Sequence, residues 1–188
     1  MAWNNSGGLH AKNFVCGYCG HDVTPALGFS GTEGRNIYIC HHCDRPNFFD
    51  ADSRQTPGAL FGHNVEGITD KKINKLYDEA RQSYGSNSFT ASVMCCRKIL
   101  MHIAVSLGLE HKKGLSFEEC INYLDKEGHI PKGSKNWVDS IRRKGNEANH
   151  EITLMSQEEA KELISFTEML LKLIYEYPSR ASKEKTSE

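Results

Sequence analysis

Apolar positions change period near residue 68 of the chain. Downstream they recur at intervals of three and four, the spacing that stacks side chains on one face of a helix. Ile73, Leu76, Tyr77 and Ala80 form such a face in a helix that Thr69 or Asp70 caps and that "YGSNS" breaks after Ser83. Val93, Cys96, Leu100, Ile103, Ala104 and Leu107 form the next between Phe89 and Gly108, apolar enough to be the central helix. In "SFEE", Ser116 and Glu119 make a capping box that opens a helix through Cys120, Ile121 and Leu124. Ser134 opens a fourth helix with Trp137, Val138 and Ile141 inward. "SQEE", 156–159, is a second capping box, followed by Ala160, Leu163, Ile164, Thr167, Leu170, Leu171 and Ile174 until Pro178 stops the pattern. A mainly α fold follows: a bundle of about five helices over 69–177, with the polar tail 178–188 expected to be disordered.

Upstream the pattern is short-range. Turn residues and then the strand-like "NIYI" predict a small β module over 10–50, and 51–68, rich in Gly, Pro and polar residues, reads as a connector. About forty residues bury little core, so a module of this size needs a staple. Its cysteines supply one. Cys16, Cys19, Cys40 and Cys43 form "CGYC" and "CHHC", and two such tight turns complete the tetrahedron that Zn²⁺ takes in closed structural sites. One structural Zn²⁺ per chain in a zinc ribbon is the expectation; a rubredoxin-like iron site would use the same four residues. His21, His41 and His42 are read as surface or supporting residues. Cys95, Cys96 and Cys120 lie in helical patterns and are read as core.

Charge narrows the possible partners. The formal net charge is −1, and residues 10–50 hold only Lys12, Arg35 and Arg45 as basic groups, so the ribbon lacks the basic surface of a DNA-binding regulator. No run of about 18 apolar residues predicts a membrane span, and the first residues have no secretory pattern, which predicts a cytoplasmic protein.

Chemistry concentrates in "RRKGNEANH", 142–150. Histidine exchanges a proton near neutral pH, arginine holds a phosphate through paired donors, and asparagine orients either. Arg142, Arg143, Asn146 and His150 therefore suit RNA cleavage without a metal ion. The same residues also suit a helix end, with Gly145-Asn146 as C-cap and the arginines answering the helix dipole. On a straight helix the seven residues from Arg143 to His150 span about 10 Å, long for two side chains on one phosphate unless Gly145 bends the chain or a second subunit contributes.

The segment 69–177 resembles the domain-of-unknown-function 4145 family, a branch of the HEPN superfamily of small helical bundles. Three stretches carry the likeness: "YDEARQSYGSNSFTASVMCCRKIL", "LSFEECINYLDKEGHIPKGSKNWVDSIR", and "IRRKGNEANH", similar to the family's Ile-Arg-x-x-Gly-Asn-x-Ala-x-His. Met101 stands where the branch commonly carries a glutamate, four residues after Arg97. The resemblance implies a HEPN-like fold with an N-terminal zinc ribbon as its companion, and in catalytic members a metal-independent endoribonuclease. Such members work as homodimers, with the Arg/His motifs of two chains facing one cleft, and recur in toxin and antiviral defence systems. His150 would then assist attack by an RNA 2′-hydroxyl while Arg142, which aligns with the branch motif, or Arg143, which fits the superfamily spacing, stabilises the phosphorane. The alternatives are a non-catalytic HEPN-like module that binds a nucleotide, RNA or a protein, with the ribbon as docking platform, and the zinc-ribbon DNA-binding regulator.

Overall fold

The computed structural model describes residues 3–134, 136–141 and 154–184. The chain divides into two compact units, Met1–Phe61 with Gly85–Asn87, and Gly62–Tyr84 with Ser88–Glu188.

The first unit is built on an antiparallel sheet. Its strands are β1 (Gly7–Gly8), β4 (Leu27–Ser30), β5 (Asn36–Ile39), β6 (Pro46–Phe49) and β7 (Gln55–Thr56), in the order β1-β4-β5-β6-β7, and β2 (Phe14–Val15) pairs separately with β3 (Asp22–Val23). Alternation along β5 and β6 sends Tyr38 and Phe49 inward to meet Phe14 and Val23. Phe14 and Phe49 stand edge to face at 5.0 Å, and Tyr38 meets Phe49 the same way at 5.7 Å. The core stops there, because the remaining buried positions beside it are Cys16 and Cys40.

The second unit is helical: α1 (Lys71–Gly85), α2 (Phe89–Ser106), α3 (Phe117–Lys126), α4 (136–141), α5 (Gln157–Leu171), a π-helical turn (Lys172–Glu176) and α6 (Tyr177–Glu184). Asp70 caps α1, its carboxylate accepting from the Lys72 N–H at 2.7 Å. Both capping boxes are formed: Ser116 with Glu119 opens α3, and Ser156 with Glu159 opens α5. By length and composition alone α2 is apolar enough to cross a membrane, with mean hydropathy 1.2. It packs against α3 and α5, and Val93, Cys96, Leu100, Ile103 and Ala104 are all buried, as their spacing predicts.

Two arginines share this core on different terms. Arg81, 1% exposed, donates from Nη2 to Gly62 O at 2.7 Å and from Nη1 to Asn64 Oδ1. Arg97, 3% exposed, has its guanidinium carbon 4.5 Å from the centroid of the Phe117 ring, and its Nη1 has no hydrogen-bond partner. A desolvated cation over an aromatic face gains about 2 kcal/mol, while taking a charge out of water costs several. Among the described residues, then, Arg97 is under-compensated.

Three sequence expectations are corrected. The fold is not mainly helical with a minor β appendage but mixed, since the N-terminal sheet has five strands. β4 was hidden by the glycine within "LGFS". The connector 51–68 is divided: Gln55–Thr56 completes the sheet, and 62–66 is tied to the helices through Glu168 and Glu176. Lastly, the helical path does not end at Pro178. The π-helical turn before it, where the Tyr177 N–H donates to Lys172 O, relaxes the carbonyl positions a proline ring would strike, and Arg180 then pairs with buried Glu176 at 2.7 Å.

Glu168 fastens residues 62–66 to the helices. Its carboxylate accepts from the His63 N–H at 2.9 Å, the His63 ring at 3.1 Å, Tyr77 Oη at 3.4 Å and the Lys172 ammonium. Burial opposes the charged form, but the Lys172 and His63 donors outweigh it and hold the carboxyl below its ordinary range. A depressed folded value means that the stabilisation is complete above the unfolded carboxyl value of about 4.3 and is lost as pH falls through the folded one. Glu168→Gln is expected to cost about 1–3 kcal/mol at pH 7 and to flatten the loss of stability below pH about 4.3, read by urea unfolding at a series of pH values.

Candidate metal centre

Two loops of the same construction carry the cysteines. Residues 16–21 join β2 to β3, and residues 40–45 join β5 to β6. In the first, the Gly20 N–H donates to Cys16 O at 2.9 Å and the Cys16 N–H to His21 O at 3.0 Å. In the second, Asp44 N–H to Cys40 O at 2.8 Å and Cys40 N–H to Arg45 O at 3.0 Å repeat the pattern. Each loop needs a left-handed residue after its second cysteine. Gly20 takes φ 68° without strain, and Asp44 takes φ 58°, a conformation aspartate tolerates. The Asp44 carboxylate and carbonyl also accept from Trp3 Nε1, at 3.1 and 3.2 Å.

The loops bring the four sulfurs together. Cys16 Sγ and Cys43 Sγ lie 3.7 Å apart, Cys19 Sγ and Cys40 Sγ 3.8 Å, and all four fall within 4.8 Å of one another. A tetrahedron with metal–sulfur bonds of about 2.3 Å has edges of about 3.8 Å. The cage is the right size for one ion.

Electrostatics favours the same reading. Burial opposes ionisation of Cys16, but the N–H groups of Cys19 and Tyr18 and the Asn47 amide point at its sulfur and bring the thiol down to about 7. Burial and the neighbouring sulfurs push Cys19 well above the usual thiol range, and burial first among its causes lifts Cys43 to about 11. One thiolate is provided for by the protein; the full set calls for a cation.

Asn47 is the residue that motif reading missed. It is fully buried, and it donates from Nδ2 to Cys16 Sγ at 3.5 Å while its Oδ1 accepts from the Gly17 N–H at 3.0 Å and Gln55 Nε2 at 3.1 Å. Gln55 in turn donates to Val15 O at 2.9 Å. Gly17 is required where it stands, since a Cβ there would come within 2.3 Å of Pro57 O. The signal for Asn47 was present: two residues before inward Phe49 on one strand, it shares the core face, and a polar side chain there needs a partner.

The histidines do not complete an alternative cage. Cys19, His21 and His42 bring ligand atoms within 4.8 Å, but the two rings are stacked, with centroids 3.5 Å apart and planes 21° from parallel. A metal in the plane of one ring lies outside the plane of the other. His41 is exposed. The candidate Arg142, Arg143, Asn146 and His150 lie outside the described residues.

The outer face of the sheet differs in kind. Phe29, Ile37 and Phe48 are cross-strand neighbours, and with Arg35 and Asn36 they line an open cleft of about 280 Å³. Phe48 is 38% exposed there.

Cys40→Ser is expected to release the bound metal while far-UV circular dichroism retains the helical signal, because the helical unit has its own core. Elemental analysis of the purified variant reads the first, and retained stoichiometric metal would refute the site. Asn47→Ala leaves the four sulfurs in place and is expected to weaken metal affinity about 10- to 100-fold in competition with a chelator.

Comparison with known proteins adds one finding. A family model described as a domain of unknown function, DUF4145, matches residues 78–187. No curated protein and no solved structure matches the chain. With more than half of its length under that match, the chain belongs to the DUF4145 family.

Proposed function

We propose that the protein is a HEPN-type metal-independent endoribonuclease whose N-terminal ribbon is held by one structural Zn²⁺. The observation that carries the RNA reading is the set Arg142, Arg143, Asn146 and His150, of which Arg142, Asn146 and His150 fall on the family motif while Arg143 fits the superfamily spacing, all within the matched segment. His150 accepts the proton of an RNA 2′-hydroxyl as that oxygen attacks the adjacent phosphorus. The bond to the 5′-oxygen breaks, and Arg142 or Arg143 stabilises the charge on the phosphorane. Zinc is assigned to the ribbon because a cage of four thiolates with the matching edge suits it; a cytoplasmic, reducing setting keeps those thiols available.

A second reading, a non-catalytic HEPN-like adaptor that docks a partner through the ribbon, draws support from the apolar cleft at Phe29, Ile37 and Phe48. The ribbon's few basic residues argue against the DNA-binding regulator.

RNA cleavage in excess chelator decides between the first two. The wild type is expected to cleave, and His150→Ala to lose activity at unchanged melting temperature. Arg142→Ala and Arg143→Ala, tested separately, identify the arginine that serves the phosphate. If none of the three substitutions changes cleavage or RNA affinity, and His150→Ala lowers the melting temperature, the stretch is a helix end and the adaptor reading replaces the enzyme. The catalytic reading also requires a homodimer, so sedimentation is expected to give twice the 21.2 kDa chain mass; a monomer at high micromolar concentration, with and without RNA, would oppose it.

A further inference from the structure

The outer face of the β unit carries apolar side chains that its own core does not use. Phe29 on β4, Ile37 on β5 and Phe48 on β6 form one cross-strand row. With strands about 4.8 Å apart, the backbones that bear the two phenyl groups are about 9.6 Å from each other. Ile37 is then the floor between two aromatic walls, with room for one flat side chain above it. Trp3 backs the Phe29 wall: its ring meets Phe29 edge to face at 6.2 Å, and its Nε1 is fixed by Asp44. The hairpin 30–36 closes one end of the cleft with polar groups, the guanidinium of Arg35, the amide of Asn36 and the hydroxyls of Ser30 and Thr32. The Gly31 N–H donates to Arg35 O at 2.7 Å and holds this end together. Among the described lining residues only Arg35 is charged, and its partner Glu33, exposed at the hairpin tip, lies outside the lining. An exposed ion pair contributes little, so an incoming carboxylate can take the place of Glu33.

We propose that this cleft is a docking site for a segment of a partner protein that presents one aromatic side chain next to a single carboxylate. The ring enters between Phe29 and Phe48, and the carboxylate reaches Arg35. Size points to a protein. At about 280 Å³ the cleft falls below the roughly 300–1,000 Å³ of pockets that enclose a small molecule, yet it suits one anchor side chain whose backbone runs outside, as at an interface hot spot. Charge limits the segment to one acid. Asn36 stands opposite Phe49 and Phe49 opposite Gln55, which brings the turn 50–54 beside the hairpin. Glu33, Asp50 and Asp52 there outnumber Arg35 and Arg54. A polyacidic run or a phosphate backbone would meet that excess of carboxylates, whereas a single carboxylate needs only the one guanidinium in the cleft. The inference rests on the docking half of the adaptor reading, the cleft as a protein site; RNA cleavage tests its other half, the absence of catalysis, so each can fail while the other stands.

Capped hexapeptides of glycine and serine, each with one phenylalanine and a glutamate one or two residues away, are titrated into the zinc-loaded full chain by calorimetry. Saturable binding below about 1 mM is expected, weakened about tenfold or more when the peptide's phenylalanine becomes alanine and likewise in the Phe48→Ala protein. Glutamine in place of the peptide's glutamate is expected to weaken binding to the wild type about three- to tenfold, and to make no difference to Arg35→Gln. Elemental analysis and far-UV circular dichroism check that Phe48→Ala, altered at an exposed side chain, keeps its metal and fold. Should it lose them, the peptide variants decide alone, since they need only the wild type. No saturable binding by any glutamate peptide overturns the proposal, and so does an affinity unchanged by loss of the phenylalanine. Phenylacetate bound as tightly as the peptides overturns it in favour of a small acid, and octauridylate bound more tightly, through Phe48, overturns it in favour of RNA.

Discussion

Thiolate sulfurs held 3.7 and 3.8 Å apart cannot all carry charge unless a cation sits among them, and the β unit is organised around that constraint. Its apolar core is a handful of rings, and where the core ends the cysteines begin. The two loops orient backbone N–H groups toward sulfur, and Asn47 spends its whole hydrogen-bonding capacity beside Cys16. A metal ion held by them would join residues 16 and 43, far apart in sequence, as a cross-link does, and its free energy of binding would become free energy of folding.

The helical unit needs no such device. Its capping boxes define where α3 and α5 begin, and a continuous set of aliphatic side chains fills the space between α2, α3 and α5. Among the described residues, charge enters that interior at Arg81, Arg97, Glu168 and Glu176, with different outcomes. Glu168 and Arg81 are surrounded by donors or acceptors from residues 62–66 and are structural. Arg97 is not: among the described residues its Nη1 has no hydrogen-bond partner, and the Phe117 ring is what faces the guanidinium.

Much of this was legible in the sequence, for identifiable reasons. Helical spacing is repeated over several turns, so the inward positions of α2, α3 and α5 could be named, and Ser-x-x-Glu fixes a helix start to the residue. The four cysteines were equally plain, because two matched pairs admit one tetrahedral set. Strands of two to four residues carry too few positions for a pattern, so most of the sheet was invisible, and β7 passed for linker. Asn47 could not be found by motif, since its role depends on a strand register that brings it against a cysteine 31 residues earlier. The continuation past Pro178 was missed because a proline reads as a stop only for a helix that keeps its regular turn.

That wider turn between α5 and α6 alters how the sequence has to be read. One residue more than an α-helical turn is accommodated over Lys172–Glu176, so every side chain beyond it sits about 100° from where the α5 face would carry it. Glu176 is brought inward by this offset, to receive the Glu66 N–H at 3.1 Å and the Arg180 guanidinium. A heptad or hydrophobic-face count carried straight through from Gln157 therefore falls out of phase after Leu171. A relative with an ordinary turn here would be one residue shorter between its last core leucine and its proline, and the two sequences would align only with a gap at this point.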